Sequence, residues 1–276
     1  MHDGQGMRNP IQNAQSKAGM DGIRTIALIG KGNVATALGT AWQKRGIQIL
    51  AFCNRSSILP AGFADENALL LSDVAQIPRH VDAILVAVSD DAVLETIRHL
   101  PEGPLAIHFS GCLPNPSRPG GVLWPIQSII SEVDGSSKGY PMALSCSLDV
   151  RDKMLRFGQL IASEVHELNE TERQTAHLTA VFAANFTNHC FAIAQELCQR
   201  SSLSWDLFQP IAARIVEQGI AGTAGKNQTG PAIRNDDSVL DAHHQLLDQH
   251  PEFQPVYRAL SASIQSFHSD SKQPKP

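Results

Sequence analysis

The chain has 276 residues and a formal net charge of −5, with 42% hydrophobic and 18% charged residues. This composition is typical of a soluble globular protein, excludes a disordered or fibrous chain and argues against nucleic-acid binding. The length suits two domains, each with its own core. The five cysteines form no C-x-x-C pair and have no zinc-ligand spacing, so we expect reduced thiols, no metal site and a cytoplasmic protein.

Residues 1–22 are polar and rich in Gly, Asn and Gln, without the apolar centre of a secretory signal or membrane anchor. We therefore predict a disordered tail. The apolar stretch 175–198 is interrupted by His177, Asn185 and His189, well before the roughly 18 apolar residues that a membrane span needs. We expect no membrane association.

From residue 23 to about 130, apolar β-branched runs alternate with helical patterns, which predicts a parallel sheet covered by helices. The runs at 24–30, 47–53, 81–90 and 103–111 are the predicted strands. The stretch 131–139 is rich in Gly, Ser and Asp and predicts a connection near a domain boundary.

Beyond this connection the pattern predicts a strand at 141–147, a helix at about 149–162 and a short strand at 164–168. Almost everything after Glu170 is helical: 171–200, 204–221, 236–248 and 251–267. The first of these helices is apolar around most of its circumference, which predicts packing on several sides.

The segment "TIALIGKGNVATALG" contains G-x-G-x-x-A between an apolar strand and a helix, the context of the dinucleotide-binding fingerprint. Gly30 permits the tight turn, Gly32 lets the backbone approach a pyrophosphate, and Ala35 lets the helix pack close to the strand. The amides near Asn33 to Ala35, with the helix dipole behind them, would face the anion. The alternative is a turn that serves only strand–helix packing.

The second strand ends in "FCNRSS", where a carboxylate would bind the ribose of NAD and an arginine the 2′-phosphate of NADP. Asn54, Arg55 and Ser56 supply amide, guanidinium and hydroxyl donors and no carboxylate at this point, so we predict NADP(H) rather than NAD(H). Arg55 could instead be a solvated loop residue. Lys31 in the glycine loop either adds positive charge near the phosphates or points into water.

Val88 and Ser89 lie at the end of the predicted strand at 81–90, where the nicotinamide-side ribose would pass. Asp90 and Asp91 are expected to cap the next helix. The predicted cofactor contacts are Gly30, Gly32, Asn33, Val34, Ala35, Asn54, Arg55, Ser56, Val88 and Ser89.

The run at 103–111 is predicted to end in a turn, and polar residues at and after this end could act on a substrate. Ser110, in the turn, is a candidate catalytic residue, whereas His108 is either a substrate ligand or a hydrogen-bonded core histidine. Gln127 is a candidate substrate ligand. Trp124 either walls the pocket or only packs.

Two polar residues interrupt the long apolar helix and are candidate catalytic residues: His177 as a proton donor, and Asn185 as a ligand of the substrate or of an amide. In a regular helix their directions differ by about 80°. Both could instead satisfy buried backbone groups. Arg234, in the loop "TGPAIRNDD", could bind a substrate carboxylate or lie at a dimer contact.

Together, the glycine loop, "NRS", "VSDDAV", "HFSG" and "WPIQS" resemble the Rossmann-like oxidoreductases related to pyrroline-5-carboxylate reductase and the deazaflavin-dependent NADP oxidoreductases. "TAHLTAVFAANFTNHC" and "GTAGKNQTGPAIRNDD" are similar to the helical part of the family that carries domain of unknown function 2520 (DUF2520). The similarity extends over residues 23 to about 265. Ala176 stands where this family has tyrosine before the histidine, and Asn235 where it has glycine.

The resemblance implies an α/β Rossmann domain followed by an all-α domain like the carboxyl-terminal domain of 6-phosphogluconate dehydrogenase, often dimeric. We place the NADP-binding Rossmann domain at 23–135 and a mainly helical substrate and dimerisation domain at 136–276. The expected protein is a homodimeric NADP(H)-dependent oxidoreductase acting on a small carbonyl or imine substrate in the interdomain cleft. The alternative is a non-catalytic NADP-binding regulatory or assembly protein.

Overall fold

The structure is a computed structural model that describes residues 22–60, 62–63, 67–130 and 139–269. The described residues divide into two units, with the boundary between Asn185 and Phe186. The predicted tail at 1–22 lies outside the described residues except for Gly22, and the predicted connection at 131–139 lies outside them except for Gly139.

The first unit alternates strands and helices. In chain order they are β1 (Thr25–Ile29), α1 (Asn33–Lys44), β2 (Gln48–Cys53), β3 (Leu69–Leu71), β4 (Ala83–Val86), α2 (Asp90–Arg98), β5 (Leu105–His108), β6 (Gly120–Pro125), β7 (Pro141–Cys146), α3 (Arg151–Gln159), β8 (Glu164–Glu167) and α4 (Glu170–Ala180). A π-helical segment, Val181–Phe186, follows α4.

The described strands form one sheet in the order β3-β2-β1-β4-β5-β6-β7-β8. Neighbours from β3 to β6 pair in parallel, β7 pairs antiparallel with β6, and β8 pairs in parallel with β7. The order 3-2-1-4-5-6 is that of the Rossmann fold, in which ligands bind beyond the carboxyl ends of the strands where the order reverses. This confirms the predicted fold class.

Apolar clusters cover both faces of the sheet, because parallel strands are buried on both sides. On one face Trp42 of α1 stacks on Phe157 of α3, with ring centroids 4.3 Å apart. The Trp42 indole N–H also donates to the Phe157 carbonyl at 3.0 Å. On the other face Val93 and Ile97 of α2 pack on the sheet.

The structure divides the chain later than the predicted boundary at 135/136. The physical reason is that β7 and β8 continue the sheet, and α3 buries Met154 and Phe157 in the same cluster as Trp42. Residues 141–167 therefore belong to the sheet unit, and the helical unit begins at Phe186.

The second unit is helical in its described residues. Its α-helices are α5 (Thr187–Arg200), α6 (Gln209–Ile220), α7 (Pro231–Arg234), α8 (Asp237–Leu247) and α9 (Gln254–Ser269). Short 3-10 segments at Trp205–Leu207, Ala224–Asn227 and Pro251–Phe253 connect them. In the described part of the chain, none of the helices combines the length and apolarity that crossing a membrane requires.

Candidate functional site

The glycine loop lies at the point where the strand order reverses, between the carboxyl ends of β1 and β4. Gly30 has a φ of +112°, and an ideal Cβ there would lie 2.9 Å from the Ala87 carbonyl carbon and closer still to its oxygen. The Gly30 amide donates to the Cys53 carbonyl at 2.9 Å, and the Ala87 amide to the Ile29 carbonyl at 2.9 Å. Only glycine fits this position without displacing the backbone.

Gly32 is the N-cap of α1, and a Cβ built on it meets no atom of the described residues within 4 Å. Gly32 has no side chain with which to cap this helix end, and the first turn of α1 contains no acidic residue. Asn33 and Val34 begin the helix, and Ala35 is fully buried against the sheet. The open space and the uncapped amides can accept an anionic group.

The loop after β2 is shaped by Asn54. Its side-chain carbonyl accepts from the amides of Ser56 (3.2 Å) and Ile58 (3.3 Å), and its amide group donates to the Ile58 carbonyl at 2.7 Å. The side-chain amide and carbonyl groups of Asn54 are therefore hydrogen-bonded within the loop itself. Ser56 accepts a hydrogen bond from the Lys31 ammonium at 2.8 Å, which joins this loop to the glycine loop.

Lys31 and Arg55 are both exposed, and no carboxylate pairs with either of them in the part of the chain that the structure describes. With the Ser56 hydroxyl they form a donor set of two cations and one hydroxyl group. Such a set suits a phosphate group.

Val88 and Ser89 follow β4, as predicted, and Ser89 is the N-cap of α2 without a side-chain capping bond. Asp90 does not take the capping role expected from its position. Its carboxylate accepts from the Ser110 hydroxyl at 3.0 Å and so connects the carboxyl ends of β4 and β5.

His108 is fully buried, and both of its ring nitrogens are engaged. Nδ1 lies 3.3 Å from the Ser110 amide, which must donate to it, so Nε2 carries the proton that it shares with the Pro114 carbonyl at 3.0 Å. Burial lowers the pKa of His108, and the nearby Arg173 acts in the same direction, against the Pro114 carbonyl and Asp90. This geometry favours the core-histidine alternative over the substrate-ligand alternative.

Ser110 is 7% exposed. Its hydroxyl donates to Asp90 and accepts from the amides of Cys112 (3.3 Å) and Leu113 (3.2 Å). The single hydroxyl proton is thus already committed, and the side chain closes the turn after β5. A role in proton transfer would require Ser110 to leave Asp90.

His177 lies in α4 beside this turn. Its ring meets the Trp124 ring edge-on at a centroid distance of 5.3 Å, and an ideal Cβ on Gly111 would lie 2.8 Å from His177 Cγ. Within the described residues the imidazole forms no hydrogen bond. Trp124 is 8% exposed, so it both packs in the sheet and borders His177.

The other three candidates are Asn185, Gln127 and Arg234. Asn185 is exposed within the π-helical segment, which interrupts the 3.6-residue period on which the predicted 80° was based. Gln127 is exposed after β6. Arg234 belongs to the helical unit, with its side chain 61% exposed and 3.9 Å from the Asp236 carboxylate.

Two residues that contact the site were not predicted as part of it: Asp90 and Arg173. Arg173 is fully buried, and its guanidinium donates to carbonyls of the turn after β5. Burial lowers its pKa, while Glu170 and Cys112 oppose that effect. The available signal was its spacing, since Arg173 precedes His177 by one helical turn on the same face.

The described residues contain no group of three or more His, Cys, Asp or Glu side chains placed to hold a metal ion. The five cysteines are free thiols, with Cys53 and Cys198 buried. The site thus consists of the glycine loop, the Lys31–Arg55–Ser56 donor set and His177 beside Trp124 and Gly111.

Residues 142–264 match the family described as Domain of unknown function (DUF2520). The chain is similar to this family over that segment, which is called the DUF2520 segment below. The match confirms the similarity predicted from "TAHLTAVFAANFTNHC" and "GTAGKNQTGPAIRNDD". It begins within β7, so the DUF2520 segment supplies the last two described strands of the sheet as well as the helical unit.

A comparison with curated proteins finds no match. Among solved structures, the "putative NADP oxidoreductase BF3122" from Bacteroides fragilis is 27% identical with a TM-score of 0.73, covering 88% of this chain and 98% of that one. Protein TM1727 from Thermotoga maritima is 15% identical with a TM-score of 0.63, covering 90% and 100% of the two chains.

An imine reductase from Myxococcus stipitatus, solved in complex with NADP+, is 17% identical with a TM-score of 0.62. The alignment covers 88% of this chain and 93% of the imine reductase. At this identity the likeness shows the fold alone, in which a Rossmann unit is followed along the chain by a helical unit.

Proposed function

We propose that the chain is a cytoplasmic NADP(H)-dependent oxidoreductase that acts on a small carbonyl or imine substrate. The observation that carries this proposal is the glycine loop, joined through Lys31 and Ser56 to the exposed Arg55. The likeness to the Bacteroides fragilis protein, whose name includes NADP oxidoreductase, supports it. The free cysteines suit a reducing compartment.

The residues present fit the cofactor. Gly32 and the uncapped amides of α1 would hold the pyrophosphate, and Lys31, Arg55 and Ser56 the 2′-phosphate. Val88 and Ser89, at the end of β4, would border the nicotinamide side. The bound nicotinamide supplies or accepts the hydride.

His177 is the residue that we assign to proton transfer. Its imidazole has no hydrogen-bond partner among the described residues and is half-buried against Trp124. It can therefore donate a proton to a substrate nitrogen or oxygen, or accept one in the reverse direction. Ser110 and Asp90 hold the neighbouring turn rather than the substrate.

Arg55→Ala and Lys31→Ala are each expected to raise the Kd for NADPH about tenfold or more and to leave the Kd for NADH within about twofold. Each substitution removes one charge-assisted bond to the 2′-phosphate, about 1.5–3 kcal/mol. Nicotinamide fluorescence titrations measure both constants. Arg45→Ala, an exposed arginine at the other end of α1, is the matched control for the change in net charge.

Equal losses for NADPH and NADH would contradict the assignment of the 2′-phosphate to Lys31 and Arg55. Binding of neither nucleotide by the wild type would overturn the oxidoreductase proposal. NADPH binding without turnover of any ketone, 2-oxo acid or cyclic imine would favour a non-catalytic NADP-binding protein.

We further propose that the protein is a homodimer through its helical unit. In the described residues of that unit, the buried apolar side chains are Cys198, Ala232 and Leu247, too few for a core. An apolar cavity of about 520 Å³ opens between α5 and α6, and Phe191, Trp205 and Ile211 are among its lining residues.

Large exposed apolar residues continue from this cavity. Those of α6 and the segments before it are Phe186, Leu203, Leu207, Phe208, Ile211, Ile215, Val216 and Ile220. An apolar surface of this extent marks a protein interface. A second copy presents the same surface and can bury it symmetrically, so we commit to this chain as its own partner.

Ile215→Glu is expected to convert the dimer to a monomer, because it places a charge in the apolar surface that the partner covers. Sedimentation velocity of the full chain measures the change. Leu148→Glu is the matched control, since Leu148 is 88% exposed but lies in the sheet unit. A monomeric wild type, or equal behaviour of the two variants, would contradict the proposal.

A further inference from the structure

The turn at residues 110–113 is held by two neighbouring side chains of α4. Arg173 donates to the carbonyls of Ser110 (3.0 Å), Gly111 (2.8 Å) and Leu113 (2.6 Å). Gln174 donates to the remaining carbonyl, that of Cys112, at 3.0 Å. All four carbonyls of the turn are therefore bound by one helix.

Burying the Arg173 guanidinium in this way lowers the stability of the fold. Arg173 is fully buried without an ion pair among the described residues, and its Nε has no acceptor there. A buried guanidinium whose donors are incompletely paired destabilises the fold relative to an apolar side chain of similar size. Costly polar arrangements of this kind concentrate at functional sites.

Arg173 and His177 both contact Gly111. The two residues are four apart in α4 and lie on the same helix face. Arg173 binds the Gly111 carbonyl, and the His177 ring packs on Gly111, where an ideal Cβ would lie 2.8 Å from His177 Cγ. Gly111 is thus held between the guanidinium and the imidazole.

We propose that Arg173 is a positioning residue for His177: by fixing the 110–113 turn to α4, it sets the contact of the imidazole with Gly111 and Trp124. This inference rests on the proposed function of His177. Arg173 itself touches the turn and not the substrate, so it acts on the reaction only through the placement of the proton-transfer group.

The chain offers a matched control in Arg118. Its guanidinium donates to the carbonyls of Leu100 (3.0 Å), Pro101 (2.6 Å) and Pro104 (3.3 Å), and its Nε also lacks an acceptor among the described residues. It holds the loop before β5, at the amino ends of the strands, opposite the edge that carries His177. Arg118→Lys therefore loses equivalent bonds away from the site.

The experiment compares Arg173→Lys and Arg118→Lys in the full-length protein. Lysine keeps the charge but cannot reach three carbonyls at once. We expect similar losses in urea midpoint for the two variants. Only Arg173→Lys should change the rate at which diethyl pyrocarbonate modifies His177, by about threefold or more, as read by peptide mass spectrometry. Only Arg173→Lys should lower kcat, by about tenfold or more, with the KM for NADPH within twofold.

A folded Arg173→Lys variant with the wild-type His177 modification rate and kcat would overturn the inference. If the wild type turns over no substrate, the proposed function fails, while the modification rates of His177 still decide whether Arg173 positions it. If Arg173→Lys does not fold, Gln174→Ala, which releases only the Cys112 carbonyl, gives the same readouts with smaller effects.

Discussion

Replacing Gly30 by alanine is expected to lower the free energy of unfolding by several kcal/mol or to prevent folding. A non-glycine residue at a φ of +112° costs about 1–3 kcal/mol. The added Cβ would also overlap the Ala87 carbonyl. That carbonyl cannot retreat easily, because the Ala87 amide is bound to Ile29 of β1. Urea denaturation followed by circular dichroism measures the loss.

Gly32→Ala is the matched control. A Cβ at Gly32 meets no atom within 4 Å in the part of the chain that the structure describes, so the protein should fold with a loss of at most about 1 kcal/mol from the weaker N-cap. Its methyl group would occupy the space assigned to the pyrophosphate, so the Kd for NADPH should rise more than about tenfold. A wild-type urea midpoint for Gly30→Ala, or normal NADPH binding by Gly32→Ala, would contradict this account of the loop.

Gly111→Ala is expected to reduce turnover about 100-fold while the protein stays folded. The new Cβ would lie 2.8 Å from both His177 Cγ and Trp124 Cε2. Trp124 is held within β6, so His177 must give way, and a misplaced catalytic group can cost about 100-fold in rate. Overpacking should cost about 1–3 kcal/mol of stability. NADPH binding should stay within twofold, which kcat and titration measurements on one preparation would show.

The double variant Gly111→Ala/His177→Ala tests the cause of that loss. If the alanine methyl displaces His177, then adding it to His177→Ala should cost less stability than adding it to the wild type, and it should reduce turnover no further. Additive losses in stability and rate would show that Gly111→Ala acts through Trp124 or the turn backbone instead. Undiminished turnover of Gly111→Ala alone would contradict the assignment of His177.

The sheet of the first unit could be predicted from local sequence for two reasons. Its strands are short apolar runs, and the glycine at its switch point indicates a tight turn with a backbone conformation that other residues rarely adopt. Gly30 and Gly32 predict a turn and the start of a helix within three residues. The division between the units could not be predicted in this way. Whether 141–167 joins the sheet depends on the pairing of β7 with β6 and on a Trp42–Phe157 contact between residues 115 apart.

The candidate site shows the same limit. Sequence indicates that His108 and Ser110 lie at the end of a strand, but His108 is hydrogen-bonded to the Pro114 carbonyl, and Ser110 to Asp90, which lies 20 residues away from it. From its sequence position, Arg173 would be expected on the solvent-exposed side of a helix. Only the tertiary structure shows that it contacts the turn at 110–113. The proton-transfer role of His177 and the substrate roles of Asn185, Gln127 and Arg234 stay predictions.

The antiparallel pairing of β7 with β6 bears on how this protein could have been assembled from parts. The DUF2520 segment starts inside β7, whose edge is hydrogen-bonded to β6, and it contributes Phe157 to a stack completed by Trp42. A cut at its first residue would leave an exposed strand edge and an unfilled apolar surface on both fragments. The two halves of the chain are therefore not interchangeable modules, and a chimera that exchanges only the DUF2520 segment must also match the surface of α1.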